Sequence, residues 1–255
     1  MRAGLVISVL VVLGLAYGLV LAYQHGVRRT RAYVQEKMVG MGVPATETAR
    51  ASSSFDLGGA TALTIENDFG SVEVKPGGPQ VRVERVVYAG GQDDAARARA
   101  AKFTVSGARG PEGGYTIKVS GSQERPRVRV DLIAQAPPGL ALQLKLQAGN
   151  GEVADHTGPV SISCESGNVA VSLAGRFSGR LRAETQSGNI GLKLPADANC
   201  RIEATAGSGG VSSSLPLRDL SSAHGHLTGR LGAGLGQIEL RTGSGNITLE
   251  PASSG

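Results

Sequence analysis

The chain has 255 residues, among them 38 Gly, 2 Cys, 5 Tyr, 4 Phe and no Trp, and 26 basic residues against 21 acidic ones give a formal charge of +5. Two cysteines exclude a disulfide-rich scaffold, and scattered positives without interleaved aromatics argue against nucleic-acid stacking. A core must come from Val, Ile, Leu and Ala, and so small, β-branched and Gly-rich a composition points to an all-β fold with many turns.

The first element is the uncharged run Ala3–Ala22, AGLVISVLVVLGLAYGLVLA, which is long enough to cross a hydrocarbon core as a helix. We take residues 1–23 as an N-terminal transmembrane anchor; a cleaved signal peptide ending near Val20-Leu21-Ala22 is the alternative. Arg28, Arg29, Arg31 and Lys37 follow the run and only Arg2 precedes it, which by the positive-inside rule would hold the rest of the chain in the cytoplasm. A short N-terminal tail before an apolar segment, and a Gly/Ser/Thr-rich chain with little Lys, favour an extracytoplasmic domain instead. Residues 24–54, helix-compatible from Arg29 to Met41 and then loop-like, read as a juxtamembrane spacer.

From Phe55 the chain alternates apolar and polar residues, the period of half-buried strands. Leu63–Val74, LTIENDFGSVEV, is two such strands around Gly70. Residues 79–125 break the pattern and read as an insertion or edge hairpin, helix-compatible in the middle of GGQDDAARARAAKF. VRVDLIAQAPPGLALQLKL then gives strand, Pro-Gly turn and strand, with a turn expected at Gly151.

A repeat organises the chain from Val160 onward. With a shift of 21 residues and no gap, Val160, Leu181 and Ile202 coincide, as do Gly167, Gly188 and Gly209, then Val169, Ile190 and Val211, and Leu173, Leu194 and Leu215. Ile238–Leu249 fits the same template around Gly245. Each unit is a strand, a Ser-Gly-Asn corner and a second strand. A unit this short cannot bury its apolar face alone, so stacking is expected. The predicted fold is an all-β, single-stranded β-solenoid (β-helix or β-roll) over 55–250, with a tail at 251–255 and a β-sandwich as the alternative. Val160, Ile162, Val169, Val171, Leu173, Leu181, Ile190, Leu192, Leu194, Ile202, Val211, Leu215, Ile238, Leu240, Ile247 and Leu249 form the predicted core.

The recurring phrase itself reads as structural. A P-loop needs Lys-Ser/Thr and a helix after its glycines, whereas here Asn and a strand follow. Gly70, Gly151, Gly167, Asn168, Gly188, Asn189, Gly209, Gly245 and Asn246 are therefore expected to be corner residues, with Gly and Asn tolerating positive φ. Asn168 and Asn189 would stack into a hydrogen-bonded ladder. Cys164 and Cys200 fall at inward positions and read as buried thiols, a disulfide between them requiring an oxidising compartment. His224 and His226 offer two imidazoles but little else for a metal. The carboxylates Asp155, Glu165, Glu184, Asp197, Glu203, Asp219 and Glu239 lie outward without the in-phase spacing of an acid/base couple. No catalytic, cofactor or metal residue is assigned.

LTIENDFGSVEV, DLIAQAPPGLALQL, the Ser-Gly-Asn repeats and GRLGAGLGQIELRTGSGNITLE together resemble the bacterial putative-adhesin family with Ser-Gly-Asp/Asn-Ile/Val repeats (DUF4097-like, LiaG-like), over roughly Phe55 to Glu250. The resemblance implies a β-solenoid behind an N-terminal membrane segment, with adhesion or envelope-stress regulation as associated roles and no assigned chemistry. The expected function is a membrane-anchored, non-enzymatic envelope binding or scaffold module without a cofactor. Its partners would be the membrane and an envelope protein, a glycan or its own copies, not nucleic acid. An accessory modulator of envelope-stress signalling and a polysaccharide-active β-helix enzyme are the alternatives.

Overall fold

The computed structural model describes residues 46–110, 113–121, 128–195 and 197–252. The anchor read at 1–23 lies outside them, and among the described residues no helix is long and apolar enough to cross a membrane. In chain order the elements are β1 (Ala49–Phe55), β2 (Ala62–Phe69), β3 (Val72–Pro76), β4 (Val81–Tyr88), helix α1 (Asp94–Ala101), β5 (Thr104–Arg109), β6 (Gly114–Ser120), β7 (Arg129–Ala136), β8 (Ala141–Ala148) and β9 (Gly151–His156). Next come β10 (Val160–Ser166), β11 (Val169–Leu173), β12 (Arg180–Ser187), β13 (Ile190–Leu194), β14 (Cys200–Ser208), β15 (Val211–Ser213), β16 (Arg218–Ala223), β17 (His226–Leu231), β18 (Gly236–Ser244) and β19 (Ile247–Pro251).

These strands form two facing sheets. One runs β1-β4-β7-β3-β9-β11-β13-β19-β15, the other β16-β17-β14-β18-β12-β10-β8-β2-β6-β5. Every coil contributes one strand to each sheet, and neighbouring coils pair in parallel, the solenoid arrangement expected from the repeat. Alternation does the rest: in β10 the residues Val160, Ile162 and Cys164 face in while Ser161, Ser163 and Glu165 face out. The inward rows are continuous from coil to coil. Leu63, Leu142, Val160, Leu181, Ile238 and Ile202 form one such row. In the next row Leu240 is flanked by Ala183 and Ala204, so a large side chain fills the space two small ones leave. The predicted core is buried except for Val211, which is half-buried on an edge strand.

The stack does not follow chain order. β18–β19, last in the chain, sits between the β12–β13 coil and the β14–β15 coil, so the 181 and 202 units, consecutive at a 21-residue shift, are not neighbours. The reason lies in the segment between β15 and β18. β16 and β17 form an antiparallel hairpin, and β17 pairs with the outer edge of β14. Only the inner edge of β14 remains for β18, which then pairs in parallel on both sides. A similar inversion occurs at the other end. β6 pairs in parallel with β2, and β7 with β3, so β6 and β7 form a coil beyond the first one in sequence.

The segment 79–125, read as an insertion, thus supplies that coil's β6, the antiparallel edge strand β5, the antiparallel strand β4 and helix α1. The helix lies where its composition suggested; Asp93 caps it by accepting from the Ala96 N–H at 2.7 Å, and it buries Ala96 and Ala100. Residues 49–54, read as the end of a spacer, are instead strand: β1 pairs with β4 at the edge of the nine-stranded sheet. Their Ala and Ser side chains carry too weak an apolar alternation to announce it.

Candidate functional site

The corners are the sequence's most regular feature, and their geometry accounts for the regularity. Gly70, Gly149, Gly167, Gly188, Gly245 and Gly209 all have φ between 130° and 148°, a conformation closed to residues with a side chain. They also stand in one column. A Cβ on Gly188 would lie 2.6 Å from the carbonyl carbon of Gly167, and one on Gly245 equally close to that of Gly188. Glycine is required twice at each corner, by the turn and by the approach of the next coil.

The asparagines do something different from what their tolerance of positive φ suggests, for none of them is at positive φ. They form the expected ladder. Asn150 Oδ1 accepts the backbone N–H of Asn168 at 3.0 Å, Asn168 Oδ1 that of Asn189 at 2.9 Å, Asn189 Oδ1 that of Asn246 at 2.8 Å, and Asn246 Oδ1 that of Gly210 at 2.9 Å. At the other end Asp131 Oδ1 takes the N–H of Ser71 at 2.9 Å. Beneath the column, inward side chains satisfy the glycine carbonyls: Thr185 Oγ1 donates to Gly167 at 3.1 Å and Thr242 Oγ1 to Gly188 at 2.8 Å. Cys164 Sγ makes the same bond to Gly149 at 3.4 Å.

Gly151 is a correction. The corner of its coil is Ala148-Gly149-Asn150, with Ala where the Ser-Gly corners have Ser and the first coil has Phe69, and Gly151 is the first residue of β9. Its register partner is Val169, and the space a side chain would occupy is taken by Leu146 Cδ1, 3.0 Å from a hypothetical Cβ.

Residues 138–250 match the family model described as Toastrack DUF4097. That segment is similar to the Toastrack DUF4097 family. It begins at the Pro-Gly turn before β8 and takes in every coil from β8–β9 to β18–β19. A protein from Clostridium sporogenes ATCC 15579, described as "a putative cell adhesion protein", has a similar fold: TM-score 0.60 at 13% identity, over 81% of this chain and 100% of that one. "A putative adhesin" from Bacteroides fragilis NCTC 9343 matches at a TM-score of 0.26 and 10% identity, over 82% of this chain and 99% of that one, and no argument rests on it. No curated protein matches the chain.

In the Toastrack segment and the coils before it, what remains for function is the outward side chains. On the ten-stranded sheet most charges alternate across strands. Glu66 lies between Lys118 and Lys145, at 3.5 Å and 3.1 Å. Arg182 holds Glu184 at 2.7 Å and Glu239 at 3.6 Å, and Arg241 holds Glu239 at 2.6 Å. Glu184 faces Ser163 and Arg241 rather than another acid. On the nine-stranded sheet Ala154, Ala170, Gly191 and Thr248 floor a shallow groove of about 460 Å³ across β9, β11, β13 and β19, rimmed by Glu152, Lys193 and Glu250.

The remaining candidates resolve into structural roles. Cys164 and Cys200 are free, buried thiols. Burial pushes the Cys200 thiol up to about 11 and raises that of Cys164 as well. His226 Nδ1 shares a hydrogen bond with Thr205 Oγ1 at 3.0 Å, while His224 sits at positive φ in the β16–β17 turn. No group of three or more His, Cys, Asp or Glu among the described residues is arranged to hold a metal ion.

Two buried polar features had no signal in the repeat. His156 donates from Nε2 to the Leu140 carbonyl at 2.7 Å, and burial lowers its pKa. Arg129 lies over the Tyr88 ring at 3.9 Å and pairs with Asp131 at 3.2 Å. Burial raises the Asp131 carboxyl, and Arg129 and the Ser71 N–H oppose that shift. The alternation of VRVDL places Arg129 and Asp131 on one face, but nothing local indicates that this face will be covered.

Proposed function

We propose that the protein is a membrane-anchored, non-enzymatic binding module of the bacterial cell envelope, its Toastrack region held outside the membrane by the apolar segment at 3–22. The observation that carries this reading is the ladder itself. Parallel pairing, the glycine column and the asparagine ladder lock each strand's register, so outward side chains sit on a fixed lattice suited to presenting a surface. Such a scaffold needs no moving part and no convergent reactive group. The Clostridium sporogenes protein with the same fold is described as a putative cell adhesion protein, and surface recognition is the role the two would share.

A periplasmic-type phosphatase fused after Gly255 tests the placement. Activity of the fusion in intact cells is the expected result, and a fusion active only as a cytoplasmic reporter removes the reading. Incubating the purified chain with envelope polysaccharides tests the absence of chemistry. Turnover that disappears on one carboxylate substitution, such as Glu239→Gln, would make the protein an enzyme.

A further inference from the structure

At the C-terminal end of the ten-stranded sheet, one outward row departs from the alternation of charge. Arg180 of β12 lies opposite Gln237 of β18, Gln237 opposite Arg201 of β14, Arg201 opposite Arg230 of β17, and Arg230 opposite Arg218 of β16. At about 4.8 Å per strand the row is roughly 19 Å long. Arg180, Arg201 and Arg218 are exposed and Arg230 is half-buried. Arg180 Nη2 donates to Gln237 Oε1 at 3.2 Å, and Arg230 is ion-paired with Asp219. Arg201 and Arg218 have no acidic partner among the described residues.

Like charges directly opposite one another on neighbouring strands are destabilising. Two successive Arg–Arg pairs, 201 with 230 and 230 with 218, therefore work against the fold, whereas around Glu66 the same face sets Lys against Glu and around Glu239 it sets Arg against Glu. A bound counter-charge removes that repulsion. Guanidinium groups suit this task because each offers a planar, two-pronged set of donors to a carboxylate or phosphate.

Two residues along the strands, Arg182 follows Arg180 on β12, but on β18 and β14 Glu239 and Glu203 lie side by side and border the middle of the row with negative charge. That border disfavours a flat anionic bilayer, which would meet the acids as well as the arginines. The described row also lacks aromatic side chains on which bases would stack. A single thin chain carrying an anion at every repeat fits between.

We propose that this row binds a linear anionic glycopolymer of the cell envelope. Arg201 and Arg218 take its carboxylate or phosphodiester groups, and Arg180 and Arg230 flank them. This names the partner of the binding module proposed above and rests on that reading.

The test uses the full chain in detergent with polygalacturonate, poly(glycerol phosphate) and neutral dextran as polymers. Acidic phospholipid vesicles and single-stranded DNA are the competing probes. Binding to one of the two anionic polymers, weakened by salt and by at least about tenfold in Arg201→Gln/Arg218→Gln, is the expected result. Which polymer binds tells carboxylate from phosphodiester. The double variant should melt no lower than the parent, since it relieves repulsion, and Lys118→Gln/Lys145→Gln should bind like the parent.

Equal binding by the double variant, equal loss in the lysine control, or preference for vesicles or DNA overturns the proposal. Attachment to whole cells separates the two levels. If parent and Arg201→Gln/Arg218→Gln attach equally, the row is wrong and the binding module stands; if neither attaches, the module reading falls.

Discussion

The middle of the solenoid and its two ends are built from the same alternating strands, yet only the middle obeys the chain. From β8 to β13 each coil stacks on the one before it, Val160 on Leu142 and Leu181 on Val160, in the order in which they are made. At the ends the order inverts: the β6–β7 coil lies outside the β2–β3 coil, and the last strands slip inside the β14–β15 coil. Among the described residues the antiparallel strands occur only there, β5 and β4–β1 at one end and β17–β16 at the other. The difference teaches that the repeat encodes the shape of a unit, whereas the segments outside the repeat decide where a unit goes.

The largest effect expected comes from the feature that makes the middle regular. Gly188→Val combines a forbidden φ with collision against the Gly167 carbonyl, both of them backbone, so neither can give way cheaply. A loss of about 4 kcal/mol or more in urea-unfolding stability is expected. Gly191→Val, three residues on, is the control. A Cβ there meets nothing within 4 Å, and the substitution should stay within about 0.5 kcal/mol because a β-branched residue suits a strand. If both variants lose equally, the column is not what orders the middle.

Ile247→Ala and Val211→Ala test the inversion itself. By chain order Ile247 would belong to a terminal coil and Val211 to an inner one. In the stack Ile247 is fully buried between Ile190 and Val211, while Val211 is half-buried on the edge. Ile247→Ala should therefore cost about 2–4 kcal/mol and Val211→Ala less than about 1 kcal/mol. The reverse ranking would restore chain order.

This comparison also marks how far the sequence can be read. The corners, the inward rows and the all-β solenoid are visible because a two-residue alternation and a Gly-Asn corner are local requirements. Val211 reads as core on the same grounds as Ile247, since both follow a Ser-Gly-x corner in phase. What separates them is β17, whose antiparallel pairing with β14 blocks the outer edge, and nothing in HLTGRL states which edge it will choose. Gly151 is misread for a related reason. GNG offers two glycines, and only the register with Ser166 shows that Gly149 is the one turning. The arginine row is invisible for the same cause, because Arg180, Arg201, Arg218 and Arg230 meet only once the order of strands is known.

A smaller contrast lies along the polar ladder. Asn168→Ala removes the acceptor of the Asn189 N–H at 2.9 Å in the middle of the stack, and about 1 kcal/mol, the net worth of an ordinary hydrogen bond, should be lost. Near the first coil the corresponding contact is the 3.4 Å bond from the Asn150 N–H to Ser71 Oγ. A bond that long contributes little, so Ser71→Ala should change stability by less than about 0.5 kcal/mol. Equal costs would mean that the ladder is as tight at its end as at its centre.

A gain in stability is expected at the position where the middle carries a thiol. Three successive coils bond a corner carbonyl from below, through Cys164, Thr185 and Thr242, and the bonds shorten in that order from 3.4 to 3.1 to 2.8 Å. A thiol is a weak donor, and this one is buried with its pKa raised, so it remains a neutral S–H. Cys164→Thr replaces it with the hydroxyl that its neighbours already use, in a strand where β-branching is favoured. The added methyl must fit beside Leu146 and Thr185, its register partners, and Thr185 shows that one coil away the same site accepts it. The variant should be more stable than the parent by up to about 1 kcal/mol, measured by urea unfolding. A destabilised Cys164→Thr would mean that the coils are less interchangeable than their shared register implies, and that Gly149, against Gly70, holds its corner more tightly than Gly167 does.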